Sequence, residues 1–241
     1  MMLTYDFRDK IVLITGATGG LGRVVARQFQ QAGATLALCA REETRLRQLF
    51  ADLALDTRHL LIGEVDLRSP DACEHLARAV DDRFGKLHAL VNTVGGFTAG
   101  PPVHETPVDA WEQMLDMNLR TAFLVSRAIA PLLIRSGGGA MVHISGRAGL
   151  AGFGGGAGYC AAKAGVIRLT ESLAAELKEY GVQVNCILPG TIDTPANRAG
   201  RPEADFSRWV SPEAIGEVIM FLCSPAARAI HGAAIPVYGL S

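Results

Sequence analysis

Tyr159 and Lys163 stand four residues apart at the start of a segment, 158–180, whose pattern predicts a helix. An i,i+4 spacing puts the two side chains on one helical face. A phenol titrates near about 10 and is a poor acid–base catalyst at neutral pH. A neighbouring ammonium stabilises the phenolate, and the pair then suits proton transfer to or from a carbonyl or hydroxyl oxygen. A lone pair of this spacing is commonly a surface contact, so the surrounding residues decide. Ser145 follows the apolar run 140–144, at the carboxyl end of an expected strand, where a hydroxyl can orient and polarise a substrate oxygen. Asn118 lies inside a long helical stretch, where asparagine has poor propensity and, if buried, needs partners. A water-linked role and a structural hydrogen bond are both open to it.

Upstream, Thr15-Gly16-Ala17-Thr18-Gly19-Gly20-Leu21-Gly22 joins an apolar strand, 11–14, to a helix over 21–31. Glycine lets the backbone approach a ligand and make turns that a Cβ blocks. A helix N-terminus offers unpaired N–H groups and the positive end of its dipole. The loop therefore reads as a cradle for the pyrophosphate of a dinucleotide, with a tight turn and close helix packing as the alternative. Its spacing is GxxxGxG through Gly16, Gly20 and Gly22, not GxGxxG. The second strand, 35–39, runs into Ala40 and Arg41 with no acid at its tip. An acid there accepts from the 2′-hydroxyl of NAD, whereas an arginine pairs with the 2′-phosphate of NADP. Arg41 thus points to NADP(H) ahead of NAD(H).

The elements that position these groups alternate along the chain. Strands are expected at 11–14, 35–39, 60–65, 87–91, 140–144, 182–188 and 233–237. Helices are expected at 21–31, 42–53, 70–84, 107–134, 158–180 and 212–222. Ser69 and Pro70 read as the N-cap and first position of the third helix. This alternation implies an α/β protein, a doubly wound parallel sheet with helices on both faces, in one domain over 1–241. A net charge of −1 argues against a nucleic-acid partner. No uncharged apolar run of membrane-spanning length appears, and Met1 to Lys10 has no apolar leader core. The five cysteines are scattered, with no CxxC and no neighbouring histidine cluster. Reduced cysteines in a cytoplasmic protein, without a metal site, are expected.

The full set resembles the short-chain dehydrogenase/reductase family of the single-domain type. The resemblance covers nearly the whole length. It rests on the Gly16, Gly20, Gly22 loop, Asp66 after the third strand, Asn92, Asn118, Ser145, Tyr159 with Lys163, and Pro189-Gly190 with Thr194. It implies a Rossmann-like sheet of about seven strands in the order 3-2-1-4-5-6-7, a nicotinamide dinucleotide and a Ser-Tyr-Lys centre assisted by Asn118. By that likeness Tyr159 is the acid in reduction, Lys163 also holds the nicotinamide ribose, Ser145 positions the carbonyl and Asn118 keeps a water in a relay to Lys163. The implied cofactor site comprises Gly16, Thr18, Gly20, Leu21, Gly22, Arg41, Asp66 and Leu67 toward the adenosine half. Asn92, Gly95, Tyr159, Lys163, Pro189, Gly190, Ile192 and Thr194 complete it toward the nicotinamide. The likeness also implies a homotetramer. Three departures stand out: Thr93-Val94 where Asn-Ala is usual, Gly19 where NADP-preferring relatives often carry a base, and Gly146 where a second serine is common.

The substrate is expected to be a small molecule held by the segments after the fourth, fifth and sixth strands. Gly96, Phe97, Phe153 and Trp209 could supply an apolar wall there, with loop packing as the alternative. The segments Gly95-Gly96-Phe97 and 191–209 resemble the corresponding loops of dihydropteridine reductases. Reduction of a quinonoid pterin is therefore a second expectation, although those enzymes lack the serine present here. A dinucleotide-sensing protein without catalysis is a third.

Overall fold

The structure is a computed structural model that describes residues 5–240. The expectation for Met1 to Lys10 falls partly on residues 1–4, outside the described residues. Strand β1 (Ile11–Thr15) leads to helix α1 (Gly20–Gln31), then β2 (Thr35–Cys39), α2 (Glu43–Leu49), α3 (Ala51–Ala54), β3 (Leu60–Ile62), α4 (Pro70–Phe84) and β4 (Ala89–Asn92). The second half runs α5 (Val108–Leu115), α6 (Thr121–Arg135), β5 (Gly139–Ile144), α7 (Ala157–Leu177), β6 (Val182–Pro189), α8 (Pro195–Gly200), α9 (Pro212–Leu222) and β7 (Ala234–Val237). The seven strands form one parallel sheet in the order β3-β2-β1-β4-β5-β6-β7.

Strand side chains alternate between two helical layers, as a sheet buried on both faces requires. Val12, Ile14, Leu36, Leu38 and Val91 pack with Val25 and Phe29 of α1 and Ile215 and Ile219 of α9. Leu13, Ala37, Leu90 and Met141 face the other way, onto Leu76 and Val80 of α4 and Leu124 and Ile129 of α6. All crossovers therefore deliver their following loops to the same end of the sheet.

Four local differences from the sequence expectation have identifiable causes. The third strand stops at Ile62, because Glu64 takes φ 57 and turns the chain. The second helix breaks at Phe50 (φ −126, ψ 41), whose ring is buried beneath the Arg27 guanidinium at 4.7 Å. The long helix is continuous over Val108–Arg135 but carries a π-turn at Asp116–Arg120, centred on Asn118. Such turns widen a helix and re-aim its side chains. This helix is long and apolar enough in its best window to cross a membrane (mean hydropathy 1.3), yet half of that window is buried, with Val125, Ile129 and Leu133 in the core. It is a core helix of the sheet layer. Finally, 195–200 forms α8 within the expected loop after β6. Pro195 occupies its first turn, and the Asn197 N–H donates to the Thr194 hydroxyl at 3.3 Å.

Candidate active site

The carboxyl end of β1 is made of backbone pressed together. Gly16 has φ +68, in the left-handed region that favours glycine. A Cβ on Gly22 would lie 2.3 Å from the Gly16 carbonyl oxygen, so the first turn of α1 sits directly on the loop. The Thr93 hydroxyl donates to the Thr15 carbonyl at 2.7 Å, and the Thr15 hydroxyl donates to Asn92 Oδ1 at 2.6 Å. Asn92 thus ties β1 to β4, and Thr93 locks the loop in the place where the family pattern has asparagine. Gly19 precedes α1 without any side-chain cap, and the first turn of α1 holds no acid. Its N–H groups and positive dipole end remain open to an anion. A Cβ on Gly20 would come within 2.7 Å of the Thr194 methyl, which puts the segment after β6 over the glycine loop.

Beyond β2 and β3 the groups spread apart. Arg41 is exposed. Asp66 takes two hydrogen bonds to its Oδ2 from Arg68, at 2.6 and 3.1 Å, and this pairing holds its carboxyl below the usual range. Arg41 acts on the same carboxylate from farther off. Leu67 is buried and Thr18 half-buried.

At the centre of the sheet, Asn118 is buried in its π-turn with its side chain fully engaged. Its Oδ1 accepts from the Gly96 N–H at 3.1 Å, and its Nδ2 donates to the Gly96 and Met114 carbonyls at 3.0 Å each. Those bonds pin the loop after β4. The Ser145 hydroxyl donates to the Lys163 carbonyl at 2.7 Å and is 2% exposed. As arranged, its proton is committed to α7, while the residue lines the cleft.

Lys163 is 4% exposed, and its Nζ donates to the Ile144 carbonyl at 2.9 Å. Burial lowers it from 10.5 to about 8. The position of a Cβ on Gly95 would be 3.2 Å from this Nζ and 2.9 Å from Asn118 Oδ1, so only glycine leaves room there. The Tyr159 ring lies 5.6 Å from Nζ. The sequence predicts that the ammonium lowers the phenol; in the structure burial pushes the phenol up instead. The cause is the burial of the phenol, which costs the phenolate its water.

These groups open into one cleft of about 780 Å³. Its lining brings together Gly20, Leu21, Gly22, Gly95, Gly96, Phe97, Ser145, Phe153, Tyr159, Lys163, Pro189, Gly190 and Ile192, all expected from sequence. Gly16, Asn92 and Asn118 hold its walls from behind, Thr194 caps α8 beside it, and Thr18 does not line it. Arg41, Asp66 and Leu67 do not line it. Nor does Trp209: its backbone N–H closes a turn onto the Phe206 carbonyl at 3.0 Å, and its ring lies tilted against that of Phe206, centroids 4.9 Å apart. Asn197 and Arg201 line the cleft from the expected substrate loop without having been singled out there, and Arg147 lines it without having been expected. The one available signal is that Arg147 lies two residues beyond Ser145, past the same strand end.

Residues 10–205 match the family described as short chain dehydrogenase. The chain belongs to the short-chain dehydrogenase/reductase family. Among its relatives, a 3-oxoacyl-(acyl-carrier-protein) reductase of Synechocystis sp. is 30% identical over 237 residues, covering 95% of this chain and 96% of that protein. A crystal structure of a variant actinorhodin polyketide ketoreductase with NADPH superposes with a TM-score of 0.86 at 29% identity, over 95% of this chain and 96% of that one. The carveol dehydrogenase of Mycobacterium avium in complex with NAD also gives 0.86, at 26% identity and 98% coverage of both chains.

Proposed function

We propose that the protein transfers a hydride between a nicotinamide dinucleotide and a carbonyl or alcohol carbon of a small substrate, with NADP(H) preferred over NAD(H). The observation that carries this reading is the convergence of Ser145, Tyr159 and Lys163 in one cleft that begins at an uncapped helix N-terminus. The fit to a dinucleotide rests on the same cleft. The first turn of α1 offers free N–H groups, and the glycine contacts leave no side chain between backbone and an approaching phosphate. Gly16, Thr18, Gly20, Leu21 and Gly22 would hold the pyrophosphate side, with Arg41, Asp66 and Leu67 toward the adenosine. Asn92, Gly95, Pro189, Gly190, Ile192 and Thr194 would hold the nicotinamide side. When bound, the nicotinamide supplies or accepts the hydride.

The chain's own residues handle the proton. Tyr159 gives its phenolic proton to the substrate oxygen in reduction and takes one back in oxidation. Lys163 has donors left after its bond to Ile144, which can bind a ribose hydroxyl or a water. A cation near the bound substrate also favours the phenolate that forms. Ser145 accepts from a substrate hydroxyl as it stands. It donates to a substrate carbonyl only by releasing Lys163. Asn118 keeps the loop after β4 seated under this group. The chain works as one dinucleotide-binding unit, with 191–210 as its substrate loop.

A panel of aldehydes, ketones and secondary alcohols, assayed with NADPH, NADH and their oxidised forms, tests the reading. Turnover with NADPH favoured is the expected result. Tight dinucleotide binding without any turnover would overturn it in favour of a nucleotide sensor. Pterin reduction is the second reading, supported by the placement of Gly95, Gly96 and Phe97 in the cleft lining. Turnover of quinonoid dihydropterin decides it.

Two further assignments accompany this one. All five cysteines are free and four are buried, which supports a reducing, cytoplasmic setting. Trp111 on α5 and Phe123 on α6 are 37% and 48% exposed, and β7 is a sheet edge. These unpartnered surfaces support a homotetramer. A monomer by light scattering would refute it.

A further inference from the structure

Phe97 and Phe153 come from the loops after β4 and β5, and both line the cleft. The two residues are nonetheless 45% and 49% exposed. Apolar rings left in water at the mouth of a site gain from any flat apolar group that covers them.

The two rings are held in place by their backbone. The Gly100 N–H donates to the Gly155 carbonyl at 2.8 Å. Gly155 has φ +74, and a Cβ there would stand 2.7 Å from the Gly100 carbonyl oxygen. One residue on, a Cβ on Gly156 would reach 2.4 Å from the Phe153 ring. The two glycine segments thus form a clasp whose Gly155 side only glycine permits. Across it, the Phe97 ring centroid lies 6.1 Å from that of Phe153 and 4.9 Å from that of Tyr159, edge-on to the phenol. An aromatic surface therefore runs from the cleft mouth to the group assigned to proton transfer.

We propose that Phe97 and Phe153 form a ring-recognition subsite that sets the substrate class: a ketone or secondary alcohol whose reacting carbon carries a flat aromatic or conjugated ring. Gly155 is the positioning residue of that subsite. The proposal rests on the hydride-transfer reading of the cleft. A rigid ring covers both phenylalanines while its substituent carbon faces Tyr159. A flexible alkyl chain of equal carbon number covers them only by freezing several torsions.

The experiment compares kcat/KM for acetophenone and 2-octanone, which have the same carbon count, with NADPH and NADH. Wild-type protein favours acetophenone by about tenfold or more. The double variant Phe97→Leu/Phe153→Leu brings the ratio close to one. Gly155→Ala shifts it the same way, with KM for acetophenone rising more than kcat falls. Circular dichroism and dinucleotide titration establish that each variant is folded. A wild-type ratio at or below one, or a ratio that neither variant moves, overturns the subsite. If neither ketone turns over, saturation-transfer NMR of 1-phenylethanol on dinucleotide-loaded protein decides. Contact to the phenyl protons that the double variant loses upholds the subsite although hydride transfer has failed for these probes, and no contact sinks it.

Discussion

The glycine loop after β1 and the glycine-rich segment between Ser145 and Tyr159 use the same residue under different constraints. In the first, Gly16 turns the chain at φ +68, Gly20 meets the Thr194 methyl, and Gly22 meets the Gly16 carbonyl. In the second, the constraint is uneven. Gly149 is pressed against the Lys163 carbonyl and the Ser145 hydroxyl, and Gly155 and Gly156 make the clasp. A Cβ on Gly152 or Gly154 would meet nothing within 4 Å. The dinucleotide side is therefore a shape made of backbone, where any added carbon is felt. The substrate side is a set of exposed side chains hung on a few fixed points, so its chemistry can change while the fold holds.

Tyr159 lies where the two regions meet, and the largest effect is expected there. Tyr159→Phe removes the proton donor and keeps the ring that packs on Phe97. Turnover should fall by about 10³-fold, while dinucleotide affinity stays within a few-fold. Near-normal steady-state rates in this variant would rule out the proton-transfer assignment.

The next test contrasts the two regions directly. Gly22→Ala forces a methyl onto the Gly16 carbonyl and should cost about 2 kcal/mol of stability, as overpacking does, with weaker dinucleotide binding. Gly152→Ala should change stability by less than about 0.5 kcal/mol. Urea unfolding and cofactor titration of both variants check the pair. Equal losses would erase the distinction between a compressed and an open glycine segment.

Lys163 gives a pH-dependent test of burial. The folded chain holds this group near about 8, against 10.5 for the free side chain. Below the folded value it is charged in both states, and its burial penalty is present in full. As pH rises above about 8 the folded chain sheds a proton that the unfolded chain keeps, so stability rises by about 1.4 kcal/mol per pH unit until the unfolded group also titrates. Four thiols raised by desolvation, to about 11 for Cys73 and Cys186 and about 12 for Cys39 and Cys223, act oppositely at higher pH. The stability difference between wild type and Lys163→Met from pH 7 to 9 isolates the lysine. It should grow by about 1 kcal/mol in favour of wild type over that range. A flat difference would mean that the ammonium is not desolvated.

Much of the frame was legible because it follows from local pattern. Seven apolar runs separated by helical segments dictate a parallel sheet. The glycine loop, Ser145, Tyr159 and Lys163 all fall at strand ends or helix starts, where topology gathers them. What was not legible depends on contacts distant in sequence. Nothing near Asn118 announces that Gly96 will use both ends of its amide. No local feature shows that Trp209 will turn onto Phe206 and away from the cleft. The phenol of Tyr159 was expected to be lowered by its lysine neighbour, but spacing along a helix says nothing about how deeply either group is buried. Arg147 reaches the cleft from a short turn after β5, and Arg201 from the stretch that the Ile192–Val210 bridge closes.

The smallest expected effect probes the far end of the dinucleotide side, where the compressed backbone gives way to exposed charge. Arg41 follows β2 and makes no hydrogen bond or ion pair among the described residues, whereas Asp66 across from it is taken by Arg68. A 2′-phosphate arriving there would meet a guanidinium free to pair in its planar, two-pronged geometry. A bare 2′-hydroxyl would find an acid already occupied. Because Arg41 is exposed, solvent and salt screen its contribution. Arg41→Ala should therefore reduce the preference for NADPH over NADH by about fivefold, and added salt should shrink the wild-type preference toward the variant's. An unchanged ratio of the two dissociation constants would remove Arg41 from the site. It would leave cofactor choice to the packed loop, where Gly19 presents no charge, and the whole dinucleotide side would then be read by backbone alone.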